Sequence, residues 1–515
     1  MTLVLATVDN EVSPLLPHSR SQYHDNWSRD SPTENEDDND DHIENFREDN
    51  NELSQDTQVR KRLEQTLLRK VDIRMSILVL IYILNYIDRN NVAAARLRGF
   101  EEDLGLSGTQ FSSILSSLYV GYIIMQIPSN MLLNWMGKPS LYLSCCMILW
   151  GSIMSCLTGV ATSYFGALCS RFVLGFFETA FFPGALFLIS KWYKRDELSQ
   201  RTAYLSSGSL IANGTGSLIA SGILSALDNA LNVAAWRWLF FVEGGLTVVV
   251  AIGAMIILPD FPETSSGWLS PAEKALAIRR MQEEHVNTSS SHDDTPLKTQ
   301  LNGLSSAISD PKVWWLAATQ ACLTFSLSFN AYMPTIVREV FHGYNPTTVL
   351  LLCAPPFFVA TAVAITISRH SDKAGERCGH ITFTMVIGII GFTLVCSTTN
   401  TAVRYFSLFL MAQSYAGFIC FLAWSSSSVS QTPAKRAVAL ALMNTVGTLG
   451  NVLGPYIWPT TWGPTYSQSF VICAIANVLG IVMCWMFRRH LVHLNTAAAK
   501  RETLHNEIEG YRYFL

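Results

Sequence analysis

The sequence predicts an all-α membrane protein with twelve transmembrane helices arranged as two six-helix bundles. Three observations carry this prediction. Apolar blocks of about 20 residues, the length a helix needs to cross the hydrocarbon core, recur along the chain. Charged residues make up only 15% of the 515 residues, against about 25% in soluble proteins. The longest polar connection, Pro259–Pro311, leaves six apolar blocks on each side.

The predicted domains follow from these blocks. Residues 1–58 are polar and acidic, and we expect a disordered cytoplasmic tail there. A first bundle over 59–258, a cytoplasmic linker loop over 259–312, a second bundle over 313–489 and a cytoplasmic tail over 490–515 complete the chain. The predicted spans lie near 73–93, 108–133, 139–160, 164–190, 203–226, 238–258, 313–335, 348–369, 380–398, 404–426, 437–458 and 467–487.

Basic residues predict the orientation of these spans. Lysine and arginine cluster before the first block and after the fourth, eighth, tenth and twelfth, whereas the opposite loops carry few. The positive-inside rule therefore puts both termini and the linker in the cytosol. Within the linker, Ser270 as an N-cap and Pro271 at the first helical position predict a helix over Pro271–Glu284.

The composition also argues against several classes of function. There is no broad basic face, so nucleic acid is not an expected partner. The eleven cysteines form no Cys-x-x-Cys pair and lie mostly in apolar blocks, which indicates apolar filler and no metal site. No phosphate loop or nucleophile arrangement is present, and we expect neither a cofactor nor enzymatic activity.

Two pairs of charged residues stand inside apolar blocks: Asp88 with Arg89, and Arg171 with Glu178. A charge at the bilayer centre costs about 2.5–3.5 kcal/mol on insertion scales, so it persists where charges pair or line a cavity. Two pairs in separate spans predict a polar path through a helical bundle. Alternatively, Asp88 and Arg89 mark a helix end at the interface, and Arg171 forms a structural salt bridge.

These residue types suit an organic anion that travels with protons. Arg171 and Glu178 are seven positions apart, so they share a helix face at a spacing of about 10 Å. An arginine can hold a carboxylate through two parallel hydrogen bonds, and a desolvated acid can exchange a proton near neutral pH. In the second half, Asn330, Tyr332 and Asn444 are polar residues in apolar spans that either bind substrate or join helices.

The two halves share a loop pattern that follows the second span of each. It reads Asn134-Trp135-Met136-Gly137-Lys138 in the first and Ser371-Asp372-Lys373-Ala374-Gly375-Glu376-Arg377 in the second. The pair resembles the signature loop of the major facilitator superfamily, Asp-Arg-x-Gly-Arg-Arg. That loop is remade during alternating access, which implies a conformational switch at Asp372, Lys373, Gly375 and Arg377. A pair of ordinary cytoplasmic turns is the alternative.

Further motifs narrow the resemblance. They are Tyr86-Ile87-Asp88-Arg89-Asn90-Asn91, Tyr122-Ile123-Ile124-Met125-Gln126-Ile127-Pro128-Ser129-Asn130, Arg171-Phe172-Val173-Leu174-Gly175-Phe176-Phe177-Glu178, Trp236-Arg237-Trp238-Leu239-Phe240 and Leu258-Pro259-Asp260-Phe261-Pro262. In this order they resemble the anion:cation symporter family, in its fungal allantoate, nicotinate and pantothenate permease branch. The resemblance implies proton coupling by Asp88 and Glu178. It also implies an anion site and gate formed by Arg89, Arg171, Tyr86 and Tyr122.

The resulting hypothesis is a secondary active transporter of the major facilitator fold. It predicts proton-coupled uptake of a small carboxylate-bearing solute by alternating access, with Asn330 and Asn444 as further candidate substrate contacts. Two other functions stay open. One is a proton antiporter that exports drugs or secondary metabolites. Such antiporters tend to carry a proline in a Gly-rich fifth span, but the fifth span here, with Gly208–Gly222, contains no proline in that stretch. The other is a transporter-like nutrient receptor, favoured only by the acidic tail.

The resemblance also predicts a location. We expect a monomer in the lipid bilayer of a fungal plasma membrane, with a small organic anion and protons as its partners. However, Glu11-Val12-Ser13-Pro14-Leu15-Leu16 resembles an acidic dileucine sorting signal, which favours a vacuolar or endosomal membrane. The sequence does not identify the solute, the direction of transport or the proton stoichiometry.

Overall fold

The computed structural model describes residues 37–505, apart from 229, 266, 287–304 and 430–432. Over 37–57 it describes the backbone alone. The dileucine-like motif, residues 1–36 of the predicted tail and residues 506–515 lie outside the described part of the chain. The described residues form helices joined by short turns, with no β-strand among them.

Twelve helical elements follow one another in the order that the apolar blocks predict. The first six are α1 (Asp37–Ala95), α2 (Gln110–Met136), α3 (Pro139–Ile153, continued by a π turn Met154–Thr158), α4 (Tyr164–Glu178 and Phe181–Trp192), α5 (Arg195–Ala226) and α6 (Ala235–Ile257). The second six are α7 (Pro311–Ser326, a 3-10 segment Leu327–Tyr332 and Met333–Val340), α8 (Pro346–Ala374), α9 (Cys378–Ser397), α10 (Thr401–Ala412 and Ser414–Ser428), α11 (Pro433–Gly447, Leu449–Leu453 and a 3-10 turn Gly454–Ile457) and α12 (Ser467–His505). A linker helix, Pro271–Val286, lies between the two sets.

The helices carry an apolar outer surface suited to a bilayer. Nine described segments, in α3–α6 and α8–α12, are long and apolar enough to cross a membrane. The other three predicted spans correspond to parts of α1, α2 and α7. On α6, Val249, Ile252 and Ile256 are exposed while Ala251 and Ala254 are buried. This division turns large side chains towards lipid and small ones towards neighbouring helices.

Glycine fixes the close approach of α2 and α4. A Cβ atom at Gly175 would collide with the backbone carbonyl of Leu118, and one at Gly121 would collide with that of Phe172. Small residues let membrane helices approach to backbone contact, where van der Waals packing holds them. This contact holds α4 at a fixed rotation in its bundle, with Arg171 and Glu178 turned inwards.

The linker helix docks on the first bundle through ion pairs. It begins with a capping box, in which the Glu273 backbone N–H donates to Ser270 Oγ and the Ser270 N–H donates to Glu273 Oε2. The predicted N-cap at Ser270 is therefore confirmed. Lys70 Nζ lies 2.7 Å from Glu273 Oε1. Buried Arg280 contacts Glu64 and Glu197 at 2.6 and 2.7 Å.

Side-chain hydrogen bonds join the two bundles at the end where α1 terminates, which we call the closed end. Ser112 Oγ lies 2.9 Å from the Tyr332 hydroxyl, and Ser116 Oγ donates to the Val452 carbonyl over 2.7 Å. Ser221 Oγ donates to the Thr347 carbonyl over 2.9 Å. These bonds connect α2 with α7 and α11, and α5 with α8.

Candidate functional site

The charged residues predicted from the sequence meet inside the first bundle. Arg89 Nε on α1 lies 2.6 Å from Glu178 Oε2 on α4, and the Glu178 side chain is fully buried. The Arg89 guanidinium also lies over the rings of Tyr86 and Tyr122, 5.2 and 4.9 Å from their centroids. Two aromatic faces and one carboxylate therefore surround the Arg89 cation, an arrangement that stabilises a desolvated guanidinium.

Arg171 and Asp88 occupy the next layer. Asp88 Oδ2 accepts hydrogen bonds from Trp150 Nε1 at 3.1 Å and from Thr247 Oγ1 at 3.0 Å. Arg171 donates to the Asp88 backbone carbonyl at 3.2 Å and to Asn91 Oδ1 at 2.7 Å. Both side chains are buried, so Asp88 does not lie at an exposed helix end. Arg171 binds the backbone of α1 here, while Glu178 pairs with Arg89.

One further acid, Glu243 on α6, lies beside these residues and was not predicted from the sequence. Its side chain is 3% exposed, and it interacts electrostatically with Asp88 and Arg171. Glu243 is an acid in an otherwise apolar span, a signal that marks a functional residue in a membrane helix. We call Asp88, Arg89, Arg171, Glu178 and Glu243 the buried charge cluster.

Amide side chains lie where the two bundles meet. Asn213 Oδ1 on α5 accepts hydrogen bonds from Asn90 at 2.7 Å and from Asn330 at 3.3 Å. A cavity of ≈ 30 Å³ lies beside them, lined also by Asn91 and Glu243. This volume holds about two water molecules, because one needs roughly 10–15 Å³. Asn330, a predicted substrate contact, therefore lies at the bundle interface. Asn90 and Asn213, which contact each other there, were not predicted as site residues.

Asn444 approaches the cluster from α11. It accepts a hydrogen bond from Gln320 Nε2 at 3.5 Å, and its side chain also interacts with Tyr122. One residue on, Thr445 Oγ1 donates to Gln126 across the bundle boundary at 2.9 Å. The structure thus brings Asn444 close to the Arg89 side of the cluster and Asn330 close to the Glu243 side.

Comparison with known proteins assigns this architecture to a family. Residues 78–455 match the family described as the Major Facilitator Superfamily. The chain belongs to the Major Facilitator Superfamily. It is 30% identical over 433 residues to the MFS-type transporter cnsO of Penicillium expansum, covering 81% of each chain. A protein of Agrobacterium vitis, whose name gives tartrate transport as its provisional function, is 29% identical over 399 residues, covering 76% of this chain and 87% of that one.

Solved facilitator structures share the fold at low sequence identity. The xylose transporter XylE from E. coli, in a partially occluded inward open conformation, aligns with a TM-score of 0.62 at 13% identity, over 82% of this chain and 98% of that one. A bacterial homolog of the human lysosomal transporter Spinster aligns with a TM-score of 0.61 at 16% identity, over 81% of this chain and 96% of that one. This facilitator is therefore a multi-pass membrane transport protein for a small molecule, and not an enzyme.

The facilitator's two signature-like loops share one geometry. Gly137 caps the C-terminus of α2 and Gly375 that of α8, and both glycines have φ of 63°, in the left-handed region that favours glycine. In the second loop Arg377 forms an ion pair with Asp372, while Lys373 is exposed. The Ser371 hydroxyl donates to the Glu376 carbonyl at 2.7 Å, which ties α8 to the turn that follows it.

Proposed function

We propose that this facilitator is a proton-coupled symporter of the anion:cation symporter family, which takes up a small carboxylate-bearing solute. The solute would be nicotinate-, allantoate- or pantothenate-like, and the transporter would work as a monomer in the plasma membrane. The observation that carries the proposal is the buried Arg89–Glu178 ion pair beside Arg171 and Asp88. The relative in Agrobacterium vitis, whose name refers to tartrate, a carboxylate, supports this class of solute.

The pair suggests how anion and proton transport are linked. A solute carboxylate that binds Arg89 would take the place of the Glu178 carboxylate. Glu178 would then be a buried acid without its cation, and it would take up a proton because an unpaired buried charge is costly. Release of the solute would restore the Arg89–Glu178 pair and expel the proton. Tyr86 and Tyr122 would hold the Arg89 guanidinium in place throughout.

Uptake assays in a permease-deficient yeast test the proposal. Cells carrying this chain should accumulate one of a panel of radiolabelled carboxylates, faster at acidic external pH. The unlabelled acid should compete, while its amide or neutral ester should not. Equal transport of the neutral analogue would contradict the carboxylate assignment. Loss of preloaded solute from energised cells would favour an exporting antiporter, and binding without movement of solute would favour a receptor.

A further inference from the structure

Glu243 differs from the other acids of the buried charge cluster in its contacts. Glu178 contacts the Arg89 guanidinium, and Asp88 accepts hydrogen bonds from Trp150 and Thr247. In the part of the chain that the structure describes, neither carboxylate oxygen of Glu243 meets hydrogen-bond geometry with a partner, and the polar group that interacts with it is the neutral side-chain amide of Asn91. One neutral amide offsets little of the desolvation cost of an ionised carboxylate, whereas a neutral carboxyl group bears a much smaller cost.

The charge balance points the same way. The described cluster holds three carboxyl groups, Asp88, Glu178 and Glu243, but only two guanidinium groups, Arg89 and Arg171. If all three acids were ionised, one negative charge would lack a cation at the centre of the bundle. The charged groups that face Glu243 are Asp88 from α1 and Arg171 from α4. Arg171 would then have to serve two neighbouring carboxylates at once.

The surroundings of Glu243 also provide a route for a proton. Its side chain lines the interbundle cavity, together with Asn90, Asn213 and Asn330. The cavity is large enough for about two water molecules, and its walls offer amide groups that can bind them. Glu243 therefore lies between this cavity and the charges around Arg171, whereas neither Asp88 nor Glu178 lines the cavity.

We propose that Glu243 is protonated in the empty transporter and that it exchanges protons between the cavity and the buried charge cluster. This inference rests on the proposed function and adds to it a third proton-coupling residue. Loss of the proton would leave Asp88 and Glu243 as two carboxylates beside the single cation of Arg171. A solute anion near the same arginines would add more negative charge, so it would favour retention of the proton and movement of both together.

Infrared spectroscopy of the purified full chain tests the protonation directly, without any solute. We expect the C=O stretch of a protonated carboxyl group in the resting protein at neutral pH. The band should be absent in Glu243→Gln, a nearly isosteric change to a neutral side chain, and kept in Glu263→Gln, which alters an exposed acid of the linker loop. A band of unchanged intensity in Glu243→Gln, or no band in the parent protein, would overturn the proposal.

Transport in proteoliposomes provides the second readout. Glu243→Gln should lose most of its pH-driven accumulation, while solute exchange at equal pH stays within about threefold of the parent protein. Parent-like accumulation in the variant would contradict the proposal. The infrared measurement uses no solute, so it tests the protonation of Glu243 even if the protein carries no carboxylate. Failure of the proposed function would appear only in the transport assays. If Glu243→Gln cannot be purified, Glu243→Asp replaces it, and the carboxyl band should shift in frequency; an unshifted band would again overturn the assignment.

Discussion

At the scale of single residues, the Arg89–Glu178 pair joins two helices through buried charges. Removing one partner of such a pair usually costs about 3–5 kcal/mol, because the remaining charge stays desolvated. A solute that displaces Glu178 must therefore offer Arg89 an interaction of similar strength. A carboxylate can do this through two parallel hydrogen bonds, and a neutral amide cannot.

Replacing Glu178 with glutamine should separate exchange from accumulation. Glutamine can still accept a hydrogen bond from Arg89 Nε but carries no titratable proton. We expect proton-driven accumulation to be lost while solute exchange at equal pH survives. The measurement is uptake into proteoliposomes with and without an imposed pH gradient, with Glu263→Gln as the control. Accumulation at the level of the parent protein would remove Glu178 from the coupling scheme.

Arg171→Lys should impair transport although it conserves the charge. The guanidinium reaches the Asp88 carbonyl with one nitrogen and Asn91 with another, and one ammonium group does not reproduce this fork. The loss of one hydrogen bond to a charged group corresponds to about 1.5–3 kcal/mol, so we expect uptake to fall by about tenfold or more. Arg338→Lys, at an exposed arginine, should transport normally. Equal uptake by the two variants would refute this role of Arg171.

The sequence predicts which residues carry charge in the membrane but not which of them pair. The seven-residue spacing places Arg171 and Glu178 on one face of α4, yet the cation beside Glu178 is Arg89 from α1. That partnership depends on the rotation of α4, which is set partly by the backbone contact at Gly175. Glu243 was overlooked because it stands alone among apolar residues, with no charged neighbour along the chain to draw attention to it.

At the scale of helices, the linker helix shows how a capping motif and an ion pair reinforce each other. Glu273 closes the capping box with Ser270 and also contacts Lys70 on α1. The hydrogen bond from Lys70 lowers the pKa of Glu273 below its ordinary value of 4.5. A carboxyl group whose pKa falls on docking stabilises the docked state at any pH above that ordinary value. The stabilisation disappears as the pH falls through the lowered pKa.

The linker helix should therefore stay docked at cytosolic pH and loosen only in strong acid. In Glu273→Gln, amide protons of Pro271–Val286 should exchange faster than in the parent protein at neutral pH. The difference should shrink as the pH is lowered through and below 4.5. Hydrogen exchange measured by mass spectrometry, corrected for the intrinsic pH dependence of exchange, checks this. Glu263→Gln should leave the protection of that helix unchanged.

Several spans depart from the continuous helix that the apolar pattern predicts, and α7 does so at a candidate site residue. The seventh span, predicted over 313–335, is interrupted by the 3-10 segment Leu327–Tyr332. Pro334, the second residue of the next α-helical segment, lacks the backbone N–H that a continuous helix would use there. Periodicity alone does not reveal such a break. The break carries Asn330 to the bundle interface, where it contacts Asn213.

At the scale of the whole molecule, the orientation can be tested directly. The basic loops predict that both termini and the linker face the cytosol. Epitope tags at either end, or inserted in the linker, should react with antibody only after the cells are permeabilised. A tag in the loop between α1 and α2 provides the opposite control and should react in intact cells. Surface labelling of any of the first three tags would reverse the predicted orientation.

The composition of the closed end has a consequence for how the protein responds to its surroundings. The bonds from Ser112, Ser116 and Ser221 join uncharged groups. Arg96 and Arg98 also donate across the bundles to the hydroxyls of Thr335 and Thr347, each over 3.4 Å, but none of the described ion pairs connects the two bundles. Bonds between neutral groups contribute only about 0.5–1.5 kcal/mol each, and bonds from a charged donor about 1.5–3 kcal/mol. Dissolved ions screen attraction between exposed charges but scarcely affect neutral hydrogen bonds. Because no described ion pair crosses this end and the two arginines bind neutral hydroxyls there, the balance between closed and open forms should vary little between dilute and salty media.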